Sequence, residues 1–461
     1  MTDTSKALSI ADANLDISVS RLFEWLRIPS ISTDPAYAPE CRRAADWAAE
    51  TLRTVGFEAS VRTTIGHPMV VGHRKSGRPG ALHVLFYGHY DVQPADPLEL
   101  WHSPPFEPQM LDGPQGKIIV ARGSSDDKGQ VMTFIEACRA LIAADGALPI
   151  DVTVFLEGEE EGNAISMTPF LTENRAELAA DIALICDTGL WDYDTPAITT
   201  MLRGIVYEEV IIQAARMDLH SGMYGGAAQN PINVLARILG ALHDGQGRVM
   251  LQGFYDGVAE LPSDVKRDWE ALGFSGEAFL AGVGLSVPSG ESDRSVLEQI
   301  TVRPTCDVNG ITGGYQGDGA KTVIAAKASA KVSFRLVGQQ DPDAVQASFR
   351  RFVTERLPAD CTATFLNHGK SRAISVPADS PALQKARKAL GAEWGRTAPT
   401  IGSGGSIPVV GEFQKHLGIN SLLIGFALDD DKIHSPNEKY DLRSFHKGIR
   451  SWIRVLAELG T

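Results

Sequence analysis

The sequence predicts an α/β protein: a mostly parallel mixed sheet flanked by helices, into which a ferredoxin-like α+β domain is inserted. Apolar strand-like runs alternate with helix-like runs as far as residue 187, as a parallel sheet with crossover helices requires. Near residue 204 the pattern changes to one-in, one-out alternation, which suits a sheet with one covered face. The first style returns from about residue 372. A chain of 461 residues has room for at least two domains and a large buried core.

Taken in order, amphipathic helical stretches at roughly 12–27 and 38–55 open the chain. HVLFYG (83–88), DVTVFLEG (151–158) and ADIALICD (180–187) read as buried strands, separated by helices near 129–144 and 165–176. The inserted part begins with VYEEVIIQAAR and a helix at about 230–243. It continues through EQITVRP (298–304), KASAKVSFRLV (327–337), a helix at about 341–356 and CTATFLN (361–367), giving the order β-α-β-β-α-β of a split unit. Residues 246–297 are too long for a plain loop and are expected to hold short helices. A helix near 381–391 and the strand NSLLIGF (420–426) complete the first domain, so the expected boundaries are 1–203, 204–371 and 372–461.

Composition narrows the function. Apolar residues make up 43% and charged residues 22%, without an uninterrupted apolar run of membrane-spanning length, so a soluble globular chain is expected. The opening MTDTSKALSIADANL lacks the basic start and apolar stretch of a secretory signal, which makes the cytoplasm the expected compartment. Cys41, Cys138, Cys186, Cys306 and Cys361 are odd in number and without CxxC spacing, which argues against a disulfide framework or a thiolate zinc site. A net charge of -14 with no basic cluster disfavours nucleic acid and anionic membrane as partners.

Ligands of open parallel sheets bind beyond the carboxyl ends of the strands. Those ends carry His89-Tyr90-Asp91, Glu159-Glu160-Glu161, Asp187 and His434, and the loop before the helix near 129 carries Asp126-Asp127. Singly, each has an ordinary explanation: a packed histidine, a solvated charge run, a helix cap, a turn former. Together they would make a mutually repelling carboxylate cluster unless cations neutralise it. Imidazole and carboxylate donors without thiolates suit catalytic zinc, manganese or cobalt.

VLFYGHYDVQP (84–94), ARGSSDDKG (121–129), FLEGEEEGN (155–163), DLHSGMYGG (218–226), GAKTVIAAKASAKVSFRLV (319–337), GGSIPVV (404–410) and IHSPNEKY (433–440) resemble the blocks of the di-zinc aminoacylase and carboxypeptidase G family. Within it they are most similar to the carnosine and Cys-Gly dipeptidase branch, in family order over nearly the whole chain. The resemblance implies a zinc-peptidase catalytic domain and an inserted lid that also serves as a dimerisation platform. It further implies two metal ions, one held by His89 and Asp187, the other by Glu161 and His434, with Asp126 bridging both and a cis peptide between Asp126 and Asp127.

Two metals sharing a carboxylate and a water lower that water's pKa toward about 7. Asp91, two residues beyond His89, can reach the other imidazole nitrogen and fix its tautomer. Composition alone leaves the register among the three glutamates open; the family's EGxEE pattern selects Glu160 as general base, Glu161 as ligand and Glu159 as the variable position. By the same resemblance, His220 stabilises the tetrahedral oxyanion from a partner subunit, Arg335 pairs with the substrate's terminal carboxylate, and Thr322, Gly405 and Ser406 contact substrate. Gly402 and Ser403, Gly338, and Gly162-Asn163 depart from the branch's usual residues near specificity elements. The activity so implied is hydrolysis of the amide bond of dipeptides or similar small peptides by a homodimer. An aminoacylase or carbamoyl-amino-acid amidohydrolase using the same machinery is the alternative.

Overall fold

Two compact units emerge in the computed structural model, which describes residues 4–461 except 163, 378–379 and 405–406. The first comprises Met1–Thr200, Val376–Ile401 and Glu412–Thr461; the second comprises Met201–Ser375 and Gly402–Gly411.

The first unit is built on a mixed sheet whose central strands are Asp151–Glu157, His83–His89, Ile182–Ile185 and Ser421–Leu423, in that spatial order and all parallel. Their residues are buried almost without exception, as expected where helices cover both faces. Glu58–Arg62 and Met69–Arg74 extend one side antiparallel, and Ile198–Leu202 flanks the other. Lys128–Asp145 is buried nearly all round. Phe134 of that helix stacks on Phe86, with ring centroids 3.7 Å apart, and Trp452 of the C-terminal helix Leu442–Leu459 packs edge-on against both. This aromatic cluster lies under the central strands, so the strand ends that carry His89 and Glu157 are held by a rigid core. No helix among the described residues is long and apolar enough to cross a membrane.

The second unit holds the antiparallel sheet Thr305–Gly313, Lys327–Leu336, Gly204–Gln213, Thr362–Ser371, in that spatial order. With helices Pro231–Gly240 and Pro342–Thr354 the chain order is β-α-β-β-α-β. Val206, Val210, Val332, Phe334 and Leu336 face the helices; Ile205, Tyr207, Ser333 and Arg335 alternate onto the other face.

One expected strand is a helix. EQITVRP falls largely in Val296–Thr301, where Ser295 and Glu298 form a reciprocal capping box, and the strand begins only at Thr305. A capped turn satisfies the first N–H groups locally, and that outweighs the β-branched residues of the stretch. The excursion before it contains helices Ser263–Ala271 and Gly276–Ala281. Gly338 has φ +57°, and a Cβ there would lie 2.7 Å from the Gly257 carbonyl oxygen. At Gly402 an added Cβ would come within 2.9 Å of the Thr301 Cβ.

Candidate metal centre

His89 is the last residue of its strand and is fully buried. Its Nδ1 lies 3.1 Å from the Asp91 carbonyl, which can only accept, so Nδ1 carries the proton and Nε2 keeps its lone pair. That Nε2 faces Asp126 Oδ1 at 3.0 Å. His434, at φ +62° on a turn after the strand Ser421–Leu423, places Nε2 3.0 Å from Asp126 Oδ2 and 3.1 Å from Glu161 Oε2. Asp126 therefore offers one oxygen to each imidazole. His89, Asp126 and Asp187 bring ligand atoms within 4.8 Å of one another, as do Asp126, Glu161 and His434. The peptide between Asp126 and Asp127 is cis.

The donor set fits two divalent cations sharing Asp126. It combines imidazole lone pairs with carboxylates, and donors about 3 Å apart match neighbouring ligands on one ion with bonds near 2.0–2.2 Å. Its charge balance points the same way. Burial raises the Asp187 carboxyl well above its ordinary value, with Asp126, Glu160 and Glu161 adding to the effect against His89. Asp126 would also be raised by burial, but the facing His434 and His89 imidazoles hold it below the usual range. Its hydrogen bonds to Asp126 and Glu161 push His434 up to about 10. Such a dense array of acids in a buried site calls for added positive charge.

Asp91 does stand at the other imidazole nitrogen of His89, nearest through its carbonyl, and its carboxylate has a second duty. Its carboxylate is 3.5 Å from His89 Nδ1, farther than its own carbonyl, and it accepts the backbone N–H groups of Glu160 at 3.3 Å and Glu161 at 3.0 Å. Asp91 thus ties the end of one strand to the end of its neighbour. Glu160 is pushed up to about 7, first by burial, then by Glu161, Asp91 and Asp126, with His89 opposing.

Two supporting residues escaped sequence reasoning. Glu159, taken as the variable position, is buried and accepts the N–H of His67 at 2.8 Å and of Ser166 at 2.9 Å. Any side chain at Gly66 would collide with it, since an added Cβ would lie 1.5 Å from Glu159 Oε1. Gln93 donates to Glu161 Oε2 at 2.8 Å. Their partners are distant in the chain, so no local pattern marks them. A third acidic group, Asp430, Asp431 and Asp441, already has its cation: the Lys439 ammonium reaches all three at 2.5–3.0 Å.

In the second unit, His220 is exposed at the end of a short strand paired with Val323–Ile324. The Gly222 N–H donates to its Nδ1 at 3.0 Å, which leaves the proton on Nε2, free to donate outward. Thr322 is adjacent, its carbonyl accepting the Ser221 N–H at 3.0 Å. Arg335 stands opposite Thr305 and Ile205 on the open face of the sheet. Gly405 and Ser406 lie outside the described residues; Gly404 beside them receives a hydrogen bond from Arg203 Nε at 3.0 Å.

Comparison with known proteins agrees with this geometry. A model of peptidase family M20/M25/M40 matches residues 85–458. The Cys-Gly metallodipeptidase DUG1 of Candida albicans is 30% identical, covering 94% of this chain and 92% of its own. The human Beta-Ala-His dipeptidase is 27% identical over 98% of this chain and 92% of its own. The solved structure of the di-peptidase Dug1p from Saccharomyces cerevisiae superposes with a TM-score of 0.81 at 26% identity, covering 100% of this chain and 99% of the other. Matched along most of its length by that family model and carrying a donor set of the kind a metallopeptidase needs, the chain belongs to peptidase family M20/M25/M40.

Proposed function

We propose that the chain is a metallodipeptidase that hydrolyses the amide bond of dipeptides bearing a free C-terminal carboxylate. The observation that carries this reading is Asp126, which presents its two oxygens to two separate histidine–carboxylate sets while Glu160 stands beside one of them without joining it. On this reading His89 and Asp187 hold one ion, Glu161 and His434 the other, and Asp126 both. Zinc is the proposed metal, with manganese or cobalt as substitutes. Bound there, the cations would polarise the amide carbonyl and acidify the attacking water.

The protein's own groups supply the rest. Glu160 takes the proton of the water and returns it to the leaving amine, a shuttle that a carboxylate beside the metal ligands and not itself one of them can serve. Asp91 holds the Glu160–Glu161 backbone and so keeps base and ligand apart. His220 directs an Nε2–H at the oxyanion, a donor placed where charge develops. Arg335 forks onto the substrate carboxylate, and Thr322, Gly405 and Ser406 add polar contacts. In this scheme 204–371 form a lid and dimer platform, and the rest forms the catalytic domain. The cytoplasm is the proposed compartment, in keeping with five cysteines that are all free and buried.

The reading is tested with zinc- and manganese-loaded enzyme on dipeptides, their C-terminal amides, N-acyl amino acids and N-carbamoyl amino acids. Release of amino acids from dipeptides, with amides at least about tenfold poorer in kcat/KM, is the expected outcome. Preference for N-acyl or N-carbamoyl substrates would overturn it.

A further inference from the structure

Glu438 lies four residues beyond His434 and has no exposed surface. Its carboxylate takes four hydrogen bonds, all from 122–126. Oε1 accepts the backbone N–H of Ser125 at 2.9 Å and of Asp126 at 3.0 Å; Oε2 accepts that of Gly123 at 2.9 Å and the Arg122 guanidinium at 2.7 Å. A carboxylate has about four lone-pair directions, so this one is saturated. Arg122 is itself buried, donates to the Pro94 carbonyl at 3.1 Å and lies 5.5 Å over the Trp101 ring. Neither partner can turn toward solvent, and charge-assisted bonds of this kind are short and strong.

The placement of these bonds matters more than their number. One ends on the backbone N–H of Asp126 and two more on Gly123 and Ser125 just before it, and the Asp126 side chain must aim Oδ1 at His89 and Oδ2 at His434. They start from the segment that carries His434. Glu438 therefore joins the two chain segments whose side chains meet 3.0 Å apart at the centre.

We propose that Glu438 is a positioning residue of the metal centre: it fixes the aim of Asp126 toward both donor sets and the spacing between Asp126 and His434. This rests on the reading of Asp126 as the shared ligand. Glu438 touches neither substrate nor ion, so its removal acts on metal affinity and on kcat, and leaves KM in place.

The test titrates zinc into the apoenzyme against a chelating competitor and measures kcat and KM at saturating metal. Glu438→Gln keeps the shape but turns an amide N–H₂ toward N–H donors, leaving some of them unpaired. Zinc affinity is expected to fall about 10–100-fold and kcat by a similar factor, with KM changed less than about threefold. Glu438→Asp keeps the charge while withdrawing the oxygens; it is expected to fall between Gln and the wild type, and it carries the test if the Gln variant does not fold. Glu393→Gln is the control for lost stability, because Glu393 is a buried carboxylate that accepts from Arg450 at 2.7 Å and Arg454 at 2.9 Å. It should melt lower and bind zinc as the wild type does. Asp126→Asn separates the two layers. If it binds both ions with wild-type affinity, the shared-ligand reading falls and the role of Glu438 falls with it. If it loses the pair while both Glu438 variants keep wild-type affinity and kcat, the shared ligand stands and the positioning role is overturned.

Discussion

Among the described residues, no hydrogen bond or ion pair holds the Glu160 carboxylate, whereas that of its neighbour Glu161 meets Gln93 and His434. A carboxylate left unengaged beside a centre of this kind is available for proton transfer. Glu160→Gln should therefore keep both metals and lose about 10²–10⁴-fold in kcat. Metal analysis beside turnover checks it: retained activity with one ion missing would mean that the glutamates have exchanged roles. The ligand-type residues were legible in the sequence because each follows an apolar strand or opens a helix, where a buried acid or imidazole stands out. Glu159 and Gln93 were not, since what marks them is contact with residues 66–67, 161 and 166, brought near only by folding. The duty of Asp91 was half visible: spacing put it beside His89, but only the paired strands show its carboxylate holding the 160–161 backbone.

At the level of elements, the parallel strands were readable as unbroken apolar runs, and the second sheet as strict alternation. The antiparallel strands Glu58–Arg62 and Met69–Arg74 and the hairpin Gln109–Gly113 with Gly116–Val120 were not, being short and of mixed polarity. EQITVRP misled because its apolar spacing suits strand and helix alike, and the capping box decides. One strand of the second sheet also carries a charge that makes it sensitive to acid. Glu208 is buried on Gly204–Gln213 and accepts from Arg350 at 2.8 Å and Gln346 at 2.6 Å on the helix Pro342–Thr354, and from Asn367 at 2.9 Å on the neighbouring strand. Burial would raise its pKa, but the bonds from Arg350, Gln346 and Asn367 hold it below the ordinary carboxylate value. A carboxylate depressed on folding contributes stability that is full above its unfolded pKa of about 4.3 and is lost as pH falls through the folded value. The melting temperature should drop as pH is lowered from about 5 toward 3, and Glu208→Gln should lose about 1–3 kcal/mol at pH 7 while flattening that decline. A Gln variant whose pH profile runs parallel to the wild type would show that other acids govern the loss.

At the scale of the whole molecule, every proposed metal ligand belongs to the first unit, while His220, Thr322 and Arg335 belong to the second. His220 can complete a catalytic centre within its own chain or in a second copy, and the proposed reading assigns it to the partner of a homodimer. An outward Nε2–H aimed at an oxyanion is worth about 10²–10³ in turnover, so His220→Ala should lower kcat by that factor and leave metal content intact. Mixing decides between the two routes. His220→Ala subunits keep Glu160, and Glu160→Ala subunits keep His220; each homodimer is nearly inactive. If the histidine acts across the interface, a mixed dimer has one centre with both groups, and equal, freely exchanged subunits should recover roughly a quarter of wild-type activity. If it acts within its own chain, no pairing brings the two groups together and activity stays at the level of the separate variants. Native mass spectrometry of the mixture shows whether mixed dimers have formed, so that absence of recovery in their presence assigns His220 to its own chain.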